Sequence, residues 1–229
     1  MKSIEQNLAE IKKRVKHAAS QCDRDHKRID IVAVSKSQPI KRIKQAYDAG
    51  LRKFGESYLQ EALPKMQALD DLDIEWHFIG PVQSNKTRSI AEHFQWVHSV
   101  DRYKIAQRLN EQRPDDLPQL NICIQLNISD EQSKSGLLKD AVLEFAGQLS
   151  TLSRLKLRGL MAIPEKTDQH HKQRESFAMV RHLFDDLNQH GIRLDTLSMG
   201  MSEDLESAIN EGATVLRIGT ALFGTRSAA

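Results

Sequence analysis

The apolar positions change period along the chain. At the start they recur at helical spacing, Ile4, Leu8, Ile11 and Val15, behind a Ser3 and Gln6 pair placed as a capping box. The run Ile29 to Val34 is then apolar on nearly successive, β-branched residues, as in a strand buried on both faces of a parallel sheet. Pro39 opens a helix with Ile40, Ile43 and Ala46 on one face, stopped at Gly50. This alternation persists. Strands are predicted around Lys53–Gly55, Ile74–Gly80, Trp96–Val100, Leu120–Asn127, Leu155–Ile163, Asp195–Gly200 and Thr214–Gly219. Helices are predicted between them, over 57–69, 84–91, 101–112 (capped by Asp101), 137–149, 170–188 and 203–210. Strict strand–helix alternation implies parallel strands. Eight such units in this length fit a single (β/α)8 TIM barrel with an extra N-terminal helix, against the competing reading of an open doubly wound sheet. With no linker-like stretch and no internal repeat, residues 1–229 are expected to form one domain.

Composition narrows the function classes. The chain has 229 residues, 39% hydrophobic and 28% charged, as in an ordinary globular protein. A formal charge of +2, with no interleaving of basic and aromatic residues, argues against nucleic acid. No segment has the length to span a membrane, and the charged amphipathic N-terminus lacks the apolar centre of a signal peptide. Cys22 and Cys123 have neither CxxC nor zinc spacing, which suits a reducing compartment, and Cys123 reads as a core filler. These features point to the cytoplasm.

The candidate chemistry begins at Lys36, which ends the first apolar run. A lysine at the mouth of a core is partly desolvated, which lowers its pKa and frees an amine to attack an aldehyde. The plainer reading is a stem that reaches water from a strand end. In a barrel the site lies at the C-terminal ends of the strands. Those ends carry Lys36; Ser57; His77 and Gly80; His98 and Ser99; Asn127 and Ser129; Met161 and Pro164; Ser198, Gly200 and Ser202; and Arg217, Gly219 and Thr220. The last two groups resemble phosphate loops; turn glycines would explain either one alone equally well, but both together less readily. Arg217 shares a strand face with Gly219 and needs either a carboxylate partner or a ligand. His77 reads as a hydrogen-bonded core residue, His170 and His171 as surface, and Lys134 as near enough to the mouth to reach a phosphate or aldehyde. A reactive lysine with a phosphate cradle fits either pyridoxal phosphate or a Schiff-base aldolase. The latter needs an acid or base, for which Glu56 and Glu165 are the nearest candidates, and the want of an inward carboxylate at the strand ends favours pyridoxal phosphate.

Nearly the whole chain then resembles the pyridoxal phosphate homeostasis protein family. The matching stretches are Val32–Lys36, Phe54–Glu56, Trp76–Lys86, His98–Asp101, Asn127–Ser129 with Lys134–Gly136, Arg158–Met161, Leu197–Ser202 and Val215–Gly224. The resemblance implies a barrel like the N-terminal domain of alanine racemase and pyridoxal 5′-phosphate joined to Lys36 as an imine. It places Arg217 at the pyridine nitrogen, and Ser198, Ser202, Gly219 and Thr220 at the phosphate. Ser57 departs from the asparagine usual in the family. The implied role is buffering or delivery of the cofactor to apo-enzymes by a monomer, without established turnover. A racemase-like amino-acid enzyme is the alternative. Against it, the chain ends soon after the last strand, and none of Tyr47, Tyr58 and Tyr103 lies in a motif suited to proton transfer.

Overall fold

A computed structural model describes residues 2–128 and 135–224. Helix α1 (Ile4–Ser20) begins with the expected reciprocal box, in which Ser3 Oγ accepts from the Gln6 N–H and the Gln6 side chain accepts from the Ser3 N–H. It runs past Val15, burying Ala18 and Ala19 as well. The repeating units follow. β1 (Asp30–Val34) leads to α2 (Ile40–Asp48), β2 (Lys53–Glu56) to α3 (Leu59–Ala68), and β3 (Glu75–Phe78) to α4 (Thr87–His93). β4 (Trp96–Val100) leads to α5 (Tyr103–Gln112), β5 (Leu120–Leu126) to α6 (Val142–Leu149), and β6 (Leu155–Ala162) to α7 (His170–Gln189). β7 (Thr196–Ser198) leads to α8 (Leu205–Asn210), and β8 (Val215–Ile218) to α9 (Thr220–Phe223).

The strands close into a parallel barrel in chain order, with β8 pairing back onto β1. The open-sheet alternative is thereby removed. Two local expectations change. Asp101 does not cap α5; its carboxylate accepts instead from Arg102 Nε at 3.0 Å, and α5 starts at Tyr103 without a side-chain cap. The last strand is also followed by a short helix, α9, which packs with α8 against α1.

Strand alternation divides each strand between two environments. One face meets the helices in a continuous apolar layer that includes Ala33, Phe54, Phe78, Val97, Ile122, Leu160, Leu197 and Ile218. The other faces the barrel axis and is largely polar: His77, His98, Ser198 and Arg217 are all buried there with Cys123 and Met161. Close approach between β6 and β7 depends on Gly159, because a Cβ there would lie 1.7 Å from the Thr196 carbonyl oxygen.

Gly159→Ala is therefore expected to force the two strands apart and cost about 3 kcal/mol in urea unfolding. Gly147 lies exposed within α6 with no atom within 4 Å of an added Cβ. Gly147→Ala is expected to add about 0.5–1 kcal/mol by helix propensity alone.

Candidate functional site

Lys36 lies two residues beyond β1 and lines a cavity of about 340 Å³ at the C-terminal ends of the strands. Its turn is held on both sides. Gln38 N–H closes the turn onto the Ser35 carbonyl at 3.0 Å. Ser37 takes a left-handed φ of 60°, and its N–H is shared by the two oxygens of Glu61 at 3.0 and 3.1 Å. Behind the turn lies a buried cluster. Lys65 Nζ donates to the Ser35 carbonyl at 2.9 Å and to Glu56 Oε1 at 2.8 Å, and Ser35 Oγ donates to the same oxygen at 2.6 Å. Glu56 therefore faces the helix layer, away from the cavity, and cannot act there as an acid or base. Burial raises its carboxyl pKa, while Lys65 and Ser35 pull it back down.

The far side of the cavity comes from the last two strands. Ser202, Gly219 and Thr220 line it together with Arg217, Ser57 and Pro164. Ser202 Oγ accepts from the Ala221 N–H at 3.0 Å, and no described residue accepts its hydroxyl proton. The loop carrying Ser202 is tied to α1, because Arg14 donates to the Ser202 carbonyl at 3.0 Å while gripping Glu206 with Nε and Nη2. Arg217 is 4% exposed. Burial lowers its pKa to about 10, so it remains a cation at neutral pH. Its partners are neutral: Nη1 donates to the Ser198 carbonyl and hydroxyl at 2.5 and 2.8 Å, and Nη2 to the Ala162 carbonyl at 2.9 Å. Among the described residues no carboxylate is in ion-pair contact with it.

Ser198 requires a correction. Its position at a strand end suggested a phosphate contact, but the side chain is fully buried and is absent from the cavity wall. It points to the barrel axis one layer below, where its hydroxyl meets Arg217 and, at 2.7 Å, His98 Nδ1. His98 Nε2 in turn lies 2.8 Å from His77 Nδ1, and His77 Nε2 lies 2.9 Å from Glu75 Oε1. His77 is thus a hydrogen-bonded core residue, as its sequence context suggested, with partners that no local motif revealed. Both imidazoles have lowered pKa values, chiefly through desolvation.

Asp204 was missed by sequence reasoning. It lines the cavity with Glu165 and Glu203, and its carboxylate accepts from the Met201 N–H at 2.5 Å. Asn127 faces a separate surface cavity beside Lys139 and His182. Ser129 and Lys134 lie outside the described residues. Among those described there is no cluster suited to a metal ion and no helix long and apolar enough to cross a membrane. A larger cavity of about 940 Å³ opens at the opposite end of the barrel. Its charges pair with one another, Lys53 with Asp30 at 2.5 Å and Arg158 with Asp195 at 2.8 Å, so it reads as a solvated ionic rim.

Comparison with known proteins agrees with this geometry. Residues 2–227 match the alanine racemase, N-terminal domain family. The pyridoxal phosphate homeostasis protein of Pseudomonas aeruginosa is 57% identical over 226 residues, covering 99% of this chain and 97% of its own. The chain belongs to the pyridoxal phosphate homeostasis protein family. The family member from Escherichia coli (strain K12) is 48% identical over 229 residues, covering 99% of this chain and 98% of its own. PipY of Synechococcus elongatus PCC7942, solved with PLP bound, superposes with a TM-score of 0.86 at 36% identity, over 97% of this chain and all (100%) of its own. An alanine racemase of Clostridium difficile 630 shares the fold, with a TM-score of 0.78 at 14% identity, over 99% of this chain and 57% of its own. This homeostasis-family barrel thus corresponds to about half of the racemase chain.

The buried imidazoles give stability a pH dependence. Unfolded histidines bind protons near pH 6.5, whereas His77 and His98 in the fold stay neutral to lower pH. Below about pH 6.5 the unfolded state then holds more protons, and stability falls with pH by up to about 1.4 kcal/mol per unit for each histidine. Glu56 acts oppositely, since its raised pKa lets the folded state take a proton first. Urea unfolding of the ligand-free protein between pH 7.5 and 5.5 is expected to show the net fall. His98→Phe should flatten it, and an equal slope in that variant would count against a buried neutral imidazole.

Proposed function

We propose that this chain binds pyridoxal 5′-phosphate at Lys36 and holds it in reserve for other proteins of the cytoplasm, without turning over an amino acid. The observation that carries this reading is the convergence of Lys36, Arg217 and Ser202 on one cavity at the mouth of the barrel. The residues present fit the group. Val34, Ile79 and Ile163 supply apolar wall for a ring. The Ser202 hydroxyl has a proton to give to a phosphate oxygen, with Gly219 and Thr220 beside it. In this reading the Lys36 amine condenses with the aldehyde, forming a C=N bond and releasing one water. Ser198 takes no part in the phosphate contact and instead orients Arg217. The 1–229 chain acts as one barrel domain, and we take it to work as a monomer whose partners are the ligand and the apo-enzymes that receive it.

Arg217 supports the non-catalytic part of the reading. When bound, pyridoxal phosphate supplies an electron sink for carbanions, and the sink is strongest with its ring nitrogen protonated. A guanidinium has only N–H donors to offer. Facing the ring nitrogen, Arg217 hydrogen-bonds it as an unprotonated acceptor, and the sink is weakened. Among the described residues no tyrosine or histidine lines the cavity; its carboxylates are Glu165, Asp204, which accepts from the Met201 N–H, and Glu203, which is paired with Lys166 at 2.8 Å.

Borohydride reduction of the loaded protein, followed by peptide mass spectrometry, is expected to fix a pyridoxyl group on the Lys36 peptide. A colourless protein that takes up no added pyridoxal phosphate would overturn the proposal. Ser202→Ala is expected to weaken binding by roughly tenfold or more, as for the loss of one hydrogen bond to a charged group. A racemase-like enzyme would instead carry solvent deuterium into the α-position of an L-amino acid. We expect no such exchange across a broad amino-acid panel.

A further inference from the structure

The barrel interior holds a continuous hydrogen-bonded chain that the lysine chemistry does not use. It starts at Glu75 near the base, passes through His77, His98 and Ser198, and ends on Arg217 at the cavity. Its links are 2.9, 2.8, 2.7 and 2.8 Å long. Three different strands supply the middle of it. Trp96 stacks on His77 with ring centroids 5.4 Å apart, while Glu75 itself lines the cavity at the base.

The donors and acceptors along this chain admit one order. Glu75 is held ionised by His77, and a carboxylate only accepts, so His77 Nε2 carries the proton. A neutral imidazole has one N–H, so His77 Nδ1 is an acceptor and His98 Nε2 must carry the proton between them. His98 Nδ1 is then an acceptor for the Ser198 hydroxyl. The Ser198 lone pairs are left for Arg217 Nη1. Every proton therefore points from Arg217 towards Glu75. Such aligned chains strengthen each link, because each donor is polarised by the next. With the Ser198 and Ala162 carbonyls, the chain occupies three of the five N–H groups of Arg217 and leaves two with no acceptor among the described residues.

We propose that Glu75, His77 and His98 are positioning residues for the ligand site, acting through Ser198 to fix the orientation and donor pattern of Arg217. A carboxylate at the base of the barrel is thereby coupled to the ring of whatever Arg217 faces at the mouth. This inference rests on the pyridoxal phosphate reading for the identity of that ring, but the chain itself belongs to the ligand-free protein.

The experiment has two arms. In the ligand-free protein, nitrogen NMR of the histidine side chains at pH 7 is expected to show both His77 and His98 as neutral Nε2–H tautomers. An Nδ1–H tautomer or an imidazolium at either position would overturn the proposal. In the loaded protein, Glu75→Gln keeps an acceptor for His77 and is expected to bind pyridoxal phosphate with nearly wild-type affinity. Glu75→Leu removes the acceptor and is expected to weaken binding about tenfold and to shift the visible band of the bound cofactor, while borohydride still marks Lys36. A lowered Tm in Glu75→Leu with an unmoved band and unchanged affinity would reduce these residues to packing and sink the inference. If Glu75→Leu does not fold, the tautomers still decide. Failure of the wild type to label Lys36 would fall on the pyridoxal phosphate reading alone.

Discussion

A guanidinium lies near the axis of this barrel, and much of the interior is arranged to keep it there. Burying a cation is costly unless its protons find acceptors. The simplest partner, a carboxylate, would cancel its charge and leave nothing for a ligand. The structure uses two main-chain carbonyls and a serine hydroxyl instead. Those acceptors satisfy Arg217 without neutralising it. Its neighbours are chosen to match: the Cys123 thiol is pushed up to about 12 by burial, so no thiolate forms beside it. Asp204, on the wall of the same cavity, acts on Arg217 through space without an ion-pair contact, and the carboxylate of the hydrogen-bonded chain is Glu75, at the other end of the interior.

Outside the strands the opposite solution appears. The turn that presents Lys36 is backed by a buried ion pair, Lys65 with Glu56, and here charge is cancelled directly. Buried pairs of this kind add little net stability but hold geometry well when their partners are satisfied. Two groups on different elements, Lys65 of α3 and Glu56 of β2, meet at the Ser35 backbone and side chain, which fixes where the next residue projects. One Glu56 oxygen has no partner, so this corner retains some electrostatic cost. The lysine is thus held by a rigid neighbourhood rather than by its own contacts alone.

Much of this was legible in the chain. The change of period marked all eight strands, and the apolar run ending at Lys36 located the mouth. Arg217 and Gly219, two residues apart across the end of the last strand, announced a shared site. What was not legible depends on register between distant strands. His77 looked unpartnered because His98 is 21 residues away and Ser198 a further 100 along the chain. Ser198 was placed among phosphate contacts because it ends a strand that leads into a helix and because the family resemblance puts it there. The alternation that turns it towards the axis shows only once β7 is set against β6, with Met161 opposite it. Asp204 escaped notice because it sits at a helix entrance beyond the strand end. Asp101, by contrast, had the right residue type for a cap, but its side chain turned to Arg102.

The site is divided between the two ends of the chain. Lys36 follows the first strand, whereas Arg217 lies on the last strand with Gly219 and Thr220 just after it, and β1 and β8 are neighbours in the closed sheet. On a ribosome the lysine is made long before anything that could cradle an anion beside it. The nascent chain therefore passes most of its synthesis with the amine but without the rest of its pocket. Ring closure by β8 completes barrel and pocket in one event. A product cut short before that strand would keep the lysine and lack the cradle. Any binding that needs both the lysine and the residues after β8 therefore requires the closed ring.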